Sequence, residues 1–137
     1  MDMSFHEKSL WFTLVGLLLA FGLYFGSVLP AAGVNVVPSQ LALFAVAVIV
    51  LVVTQVAGHI VIAIVDRRPG RDERDRLIAL LGARNGGYVL AAGVFVALCT
   101  AVLTEGNFVF THVLLGAWVL AQLVETGSQL VLYRRGA

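Results

Sequence analysis

The chain has 137 residues, of which 60% are hydrophobic and 12% are charged, and its formal net charge is +1. Soluble domains carry about 25% charged residues, and a soluble core of this size could not bury so much apolar surface. This composition excludes an ordinary soluble domain and predicts an integral membrane protein. The small net charge also argues against nucleic acid binding.

Two membrane spans are predicted in the first half of the chain. No Asp, Glu, Lys or Arg occurs in the 57 residues between Lys8 and Asp66, and one span needs about 20 apolar residues. The segments at about 10–29 and 40–65 are therefore predicted to cross the bilayer. The first segment is longer than the apolar region of a signal peptide, which has about 7–15 residues, so we interpret it as a retained helix.

A hydrophilic cytoplasmic loop is predicted at 66–87, between the second and third spans. Within it, Arg71–Leu81 is predicted to form a short helix on the membrane surface, and Asn85-Gly86-Gly87 is predicted to end that helix. The arginines of this loop either fix the membrane topology and contact lipid phosphates, or they bind a cytoplasmic partner. We favour topology, because the interleaved acidic residues weaken a simple attraction to anionic lipid. The arginines are Arg67, Arg68, Arg71, Arg74, Arg76 and Arg84.

Two further spans are predicted at about 88–104 and 108–133. The only charged residues in these segments and the turn between them are Glu105 and Glu125. Cys99 is the only cysteine of the chain, which excludes an intrachain disulfide.

The positions of the basic residues predict the orientation in the membrane. All nine Lys and Arg residues lie at Lys8, in the loop from Arg67 to Arg84, or at Arg134 and Arg135. With four spans these three places share one side of the membrane, and an excess of Lys and Arg marks the cytoplasmic side. The predicted fold is therefore an all-α membrane protein, an antiparallel four-helix transmembrane bundle with both termini in the cytoplasm.

A weak internal repeat is visible in the sequence. Gln55 precedes Arg67 by twelve residues, and Gln122 precedes Arg134 by the same number. The first and second helix pairs would then be two copies of one hairpin, as in the parallel repeats of some transporters. Two matched positions in apolar helices also arise by chance, so the repeat remains open at this point.

The start Met3-Ser4-Phe5-His6-Glu7-Lys8, the loop Asp72–Ile78 and the end Arg134-Arg135-Gly136 resemble a loose, uncharacterised group of small bacterial and archaeal membrane proteins. Members of that group look alike in a Ser-Phe-x-Glu-Lys start, four spans, and an Asp-Glu-Arg loop before span three. The resemblance implies a location in a prokaryotic inner membrane and no established activity. Because some members look like partners of small helix-turn-helix regulators, it also implies a regulatory or stress role.

Ionisable side chains inside membrane spans cost about 2.5–3.5 kcal/mol on insertion scales and are functional candidates for that reason. Glu125 lies nine residues before Arg134, and His59 lies eight before Arg67. At about 1.5 Å per residue, both are predicted at similar depth, near the midplane of a core about 30 Å thick. A pair of His59 and Glu125 surrounded by polar side chains is therefore the candidate intramembrane site. The polar neighbours on the same two helices are Gln55, Gln122, Ser128 and Gln129.

This candidate site has two interpretations. Histidine titrates near neutrality, so a His59–Glu125 pair could carry a proton in a proton- or cation-coupled transporter or channel. Polar side chains also link membrane helices by hydrogen bonds worth about 0.6–2 kcal/mol each, and Glu125 would then hold a helix or subunit interface together. His112, near the outer end of the fourth span, is predicted to be an interfacial residue and not a ligand.

Small residues at four-residue spacing predict close helix packing, either within or between subunits. They are Gly22 and Gly26 in the first span, and Gly93, Ala97 and Ala101 in the third. Four helices leave little interior for a pore, so a homo-oligomer is predicted, with a dimer favoured.

The sequence contains no cluster of Cys and His, no phosphate-binding loop and no nucleophile with a nearby base. No catalytic residue, metal or cofactor is therefore predicted. The predicted partners are the lipid bilayer, a second copy of the chain, and a cytoplasmic or membrane protein. The favoured function is a small membrane protein of accessory, sensing or regulatory type without enzymatic activity. The alternative is a transporter or channel that uses Glu125 and His59.

Overall fold

Four long α-helices make up almost all of the computed structural model, which describes residues 5–65 and 73–136 of the chain. They are α1 (Phe5–Val28), α2 (Pro38–Val65), α3 (Glu73–Leu103) and α4 (Phe108–Arg135). All four are long and apolar enough to cross a membrane, as a multi-pass membrane protein requires. The predicted all-helical class and the four predicted apolar helices are confirmed, and the described residues contain no β-strand.

The connection from α1 to α2 is fixed by the side chain of Gln40. A short 3-10 helix, Leu29–Ala31, follows α1, and α2 begins at Pro38, whose missing N–H is not needed at the first helical position. Gln40 Oε1 accepts a hydrogen bond from the Val37 N–H at 3.1 Å, while Gln40 Nε2 donates to the carbonyl of Ala31 at 3.2 Å. Gln40 thus caps the start of α2, in the manner of the acceptor half of a capping box.

Helix α3 is continuous from Glu73 to Leu103, so the predicted helix end at 85–87 and the predicted start of a new helix at Tyr88 are wrong. A glycine inside a helix costs about 0.5–1 kcal/mol relative to alanine, and that local cost motivated the predicted break. Gly86 lies against α4 so closely that an added Cβ would be 2.9 Å from the Ala121 carbonyl oxygen. The close helix packing therefore outweighs the local cost.

The start of α3 also differs from the predicted surface helix. Ile78 is 1% exposed and belongs to the buried residues of the protein, whereas Leu77 and Leu80 are exposed. One apolar side of this segment consequently packs inside the protein.

The helices pack in two sequential pairs that are joined in the middle. Among the described residues, α1 packs against α2, α3 packs against α4, and α1 packs against α4. Most contacts between helices therefore lie within the two pairs, and α1 and α4 connect one pair to the other. The four predicted helices thus pack together in a helical bundle, and whether the two hairpins are a true repeat remains a prediction.

The apolar core lies between α1 and α4. Its buried members are Leu17, Phe21, Tyr24 and Val28 of α1, with Phe108 and Val119 of α4. Helix α2 contributes one buried residue, Gln40, and has many exposed valine, leucine and isoleucine side chains. Such broad apolar exposure is unfavourable in water and suits hydrocarbon surroundings.

A tight turn joins α3 to α4 and packs against the turn that precedes α2. Gly106 has φ +73°, a left-handed conformation that glycine adopts without steric cost. The N–H of Phe108 donates to the carbonyl of Val34 at 3.1 Å, and the N–H of Val36 donates to Asn107 Oδ1 at 2.8 Å. These bonds join the two hairpins at this end, which we call the outer end.

Small residues form a close seam between α3 and α4, which we call the α3–α4 seam. It consists of Gly82, Gly86 and Gly93 of α3 against Ala117, Ala121, Glu125 and Gln129 of α4. Three residues of α3 were predicted to pack. Gly93 contacts Ala117 of α4. Ala97 is completely buried, whereas Ala101 is exposed. Gly22 and Gly26 of α1 are exposed, and a Cβ at either would meet nothing within 4 Å. They do not pack within the subunit.

Candidate functional site

His59 is half-buried at the interface between α2 and α1. Its Nδ1 is 2.7 Å from the carbonyl oxygen of Gln55, and its Nε2 is 2.6 Å from the hydroxyl of Ser9. A carbonyl can only accept, so Nδ1 carries the proton, and in the neutral imidazole Nε2 accepts from Ser9. The ring edge of Phe12 packs against the imidazole, with the centroids 6.3 Å apart. His59 therefore fixes α2 against α1 through neutral groups.

Gln55 lies one helical turn from His59 and serves the same interface. Thr13 Oγ1 donates to Gln55 Oε1 at 3.4 Å, and Gln55 Nε2 donates to the carbonyl of Thr13 at 3.3 Å. Gly16 leaves room for this amide, because a Cβ there would lie 2.6 Å from Gln55 Nε2. The predicted polar neighbour of His59 thus bonds across to α1.

Glu125 and Gln129 lie on the other hairpin, in the α3–α4 seam. A Cβ at Gly86 would lie 2.9 Å from the Cβ of Glu125 and 3.4 Å from its Oε2, and one at Gly82 would lie 2.9 Å from Gln129 Nε2. The two glycines therefore leave space that these side chains use. The carboxyl of Glu125 makes no hydrogen bond or ion pair with any described residue, although the side chain is half-buried.

Ser128 also lies on this hairpin, where its hydroxyl accepts a hydrogen bond from Asn85 Nδ2 at 3.2 Å. Asn85, predicted to belong to a helix end, thereby links α3 to α4. Gln122 is half-buried on α4.

The structure does not join His59 to Glu125. His59 contacts α1, Glu125 faces α3, and neither a hydrogen bond nor an ion pair connects the two among the described residues. The predicted polar residues thus divide between two interfaces: Gln55 and His59 on α1–α2, and Glu125, Ser128 and Gln129 on α3–α4.

A polar cavity of about 140 Å³ lies where the start of α1, the start of α3 and the end of α4 meet. We call this place the basic end, because Lys8, Arg74 and Arg134 are in these same helix turns. The polar side chains that line the cavity are His6, Ser9, Asp75, Gln129 and Tyr133. Its volume is enough for a few water molecules, each of which occupies about 30 Å³ in the liquid.

Asp75 is the centre of this cluster. The hydroxyl of Tyr133 donates to Asp75 Oδ1 at 2.6 Å, and His6 Nε2 lies 3.5 Å from Asp75 Oδ2. His6 Nε2 is buried and makes no hydrogen bond. Ser9 connects the cluster to α2, since it lines the cavity and also bonds His59. The sequence offered little signal for this site, because His6, Asp75 and Tyr133 are far apart along the chain.

Charged side chains surround the cavity at the basic end. Arg134 lies 4.0 Å from Glu7 and stacks over the ring of Trp11, with its guanidinium carbon 5.6 Å from the ring centroid. Arg74 donates to the carbonyl of Tyr133 at 3.3 Å. Of the other predicted loop arginines, Arg76 and Arg84 are exposed, whereas Arg67, Arg68 and Arg71 lie outside the described residues.

His112 is buried near the outer end of α4, where it contacts α1. Its Nε2 is 3.0 Å from the hydroxyl of Tyr24, and its Nδ1 is 2.8 Å from the carbonyl of Phe108. Its ring stacks on that of Phe108 at a centroid distance of 4.1 Å. The four-residue spacing of Phe108 and His112 was the only signal in the sequence, and it did not identify Tyr24 as the partner.

These arrangements bind helices together and offer no organised metal site. Within the described ranges, no group of three or more His, Cys, Asp or Glu side chains could hold a metal ion. No protein-family model, curated protein sequence or solved structure matches this chain.

Proposed function

We propose that this chain is a small, non-enzymatic membrane protein of sensing or regulatory type, with the basic end in the cytoplasm of a prokaryote and the bundle in the inner membrane. One observation carries the proposal. Asp75 of α3 bonds Tyr133 of α4 and faces His6 of α1, so one carboxylate connects three helices at the end that carries the basic residues. An excess of Lys and Arg at this end supports the cytoplasmic orientation.

The cluster connects α1 to the α3–α4 pair. The groups that face His6 are Asp75 from α3 and Tyr133 from α4, with Glu7 and Arg134 nearby. A partner that separates His6 from Asp75 would therefore loosen α1 from the α3–α4 pair, and this is how the cluster would serve a sensing or regulatory role.

The test is a double-mutant cycle of His6→Gln and Asp75→Asn, measured by unfolding in lipid nanodiscs. Because His6 is 25% exposed and Asp75 is 17% exposed, we expect a coupling energy of roughly 0.5–1 kcal/mol. His59→Gln combined with Asp75→Asn is the matched control, since His59 bonds Ser9 and Gln55 and not Asp75, and these two substitutions should be additive. Additive effects of His6→Gln and Asp75→Asn would contradict the proposal.

An ion pathway is the second candidate, and it is favoured by the carboxyl of Glu125, which has no hydrogen-bond or ion-pair partner among the described residues. Glu125 lies one helical turn from Gln129, which lines the polar cavity, so a proton or cation could pass from the basic end towards Glu125. The test is proton and cation flux in proteoliposomes for wild type and Glu125→Gln, after both are shown to assemble alike. Flux that the variant loses would make the protein a transporter or channel, and no flux above empty liposomes would exclude this candidate.

A homodimer is part of the proposal. Gly22 and Gly26 present an exposed, open surface on α1, where a helix of a second copy can approach closely. A cytoplasmic or membrane protein partner would bind at the basic end, where charged side chains of α1, α3 and α4 are grouped.

A further inference from the structure

A second cleft, separate from the polar cavity, is lined by residues of α3 and α4. Its volume is about 420 Å³. The walls are mostly apolar and include Leu81, Val124, Val131 and Leu132. Gly127 also lines the cleft, and a Cβ at this glycine would meet nothing within 4 Å. The cleft is thus wide enough for a hydrocarbon chain and nearly free of polar surface.

Among the described residues that line this cleft, Arg84 alone is charged. Its side chain is exposed and makes no hydrogen bond or ion pair with the described residues. The two other polar side chains at the cleft, Asn85 and Ser128, bond each other at 3.2 Å. A positive charge without a partner therefore remains beside an apolar cleft.

The position of Arg84 along α3 sets the depth of this charge. The 19 residues from Asn85 to Leu103 contain no charged side chain, and they span about 28 Å at 1.5 Å per residue. This matches a hydrocarbon core of about 30 Å, so Arg84 lies at the border where lipid phosphates begin. Side chains on a helix lean towards its N-terminus, which for α3 is the basic end.

We propose that this cleft binds an anionic phospholipid from the leaflet at the basic end. The guanidinium of Arg84 pairs with the lipid phosphate, and one acyl chain lies against Leu81, Val124 and Val131. The net negative charge of the headgroup complements the guanidinium of Arg84, whereas a zwitterionic headgroup brings a positive charge of its own. Basic pockets between membrane helices on the cytoplasmic side recognise anionic headgroups in this way.

Lipid titration of the purified full-length protein, followed by native mass spectrometry, tests this proposal. The probes are phosphatidylglycerol and phosphatidylcholine with identical acyl chains. We expect wild type to bind phosphatidylglycerol about fivefold more tightly, the effect of one basic residue near an anionic surface. Arg84→Gln should remove this preference, and Arg76→Gln should keep it, because Arg76 is an exposed arginine of the same helix that does not line the cleft.

A second variant tests the acyl-chain part of the cleft without changing charge. Gly127→Leu should fill the cleft and weaken binding of both lipids several-fold, while the open space at Gly127 lets the helices pack as before. Equal binding of the two lipids by wild type, an unchanged preference in Arg84→Gln, or unchanged binding in Gly127→Leu would each overturn the proposal. These outcomes do not depend on the coupling between His6 and Asp75.

Discussion

The hydroxyl of Tyr133 donates a 2.6 Å hydrogen bond to a carboxylate oxygen of Asp75, which joins the last turn of α4 to the first turn of α3. At the opposite end the same two helices are joined by a short turn that contains Gly106. The α3–α4 hairpin is therefore fixed at both ends, and its glycine-rich seam lies between them.

The Tyr133–Asp75 bond should contribute measurably to stability. Hydrogen bonds to charged groups are worth about 1.5–3 kcal/mol, and partial exposure of this pair reduces the expected value to about 1 kcal/mol. A double-mutant cycle with Tyr133→Phe and Asp75→Asn, measured by unfolding in detergent, gives the coupling energy. Additive effects of the two substitutions would contradict a direct bond. The cycle is needed because Asp75 and Tyr133 have other partners as well.

Gly86→Ala should destabilise the hairpin by about 1–3 kcal/mol, the usual cost of overpacking. The new Cβ would lie 2.9 Å from both the Ala121 carbonyl oxygen and the Cβ of Glu125, so α3 and α4 would have to separate. Gly87→Ala is the matched control, because a Cβ there meets nothing within 4 Å and alanine favours the helix by about 0.5–1 kcal/mol. Equal unfolding energies for the two variants would argue against the close α3–α4 seam.

Tyr24→Phe should cost about 1–3 kcal/mol, because it leaves the buried Nε2 of His112 without its hydrogen-bond partner. Tyr24 is 4% exposed and His112 is 6% exposed, so water would replace the lost hydroxyl poorly. Tyr88→Phe, at a tyrosine that is 69% exposed, makes the same chemical change and should be nearly neutral. Equally small losses of thermal stability for the two variants would mean that water reaches His112 and replaces the Tyr24 hydroxyl.

Leucine at Gly22 and Gly26 should separate the proposed dimer without unfolding the subunit. Neither position has an atom within 4 Å of an added Cβ, so the larger side chains change only the outer surface of α1. Subunit counting in nanodiscs by stepwise photobleaching measures the outcome. Ala101→Leu, on an exposed position of α3, should leave the count unchanged. A dimer that persists in the Gly22 and Gly26 variants would require a different interface.

The sequence by itself determined the four helices, because the lipid environment imposes one dominant requirement on a membrane-spanning chain. A chain in hydrocarbon must satisfy its backbone hydrogen bonds within each segment, so long uncharged runs predict helices without knowledge of their partners. The helices α1, α2 and α4 accordingly lie close to the predicted segments at 10–29, 40–65 and 108–133. Because these runs are otherwise apolar, Gln55, His59 and Glu125 could also be identified from the sequence as polar residues with a structural or functional role.

Only the tertiary structure decided which helix faces meet. A glycine such as Gly86 is an unfavourable helix residue when it is considered alone, yet it is the residue that lets α3 approach α4. His59 and Glu125 were predicted to pair because they lie at similar depth in the membrane. Depth gives no information on how each helix is rotated about its own axis. In the structure the two side chains face different helices. The grouping of His6, Asp75 and Tyr133 depends on contacts between residues distant in sequence, which no local pattern encodes.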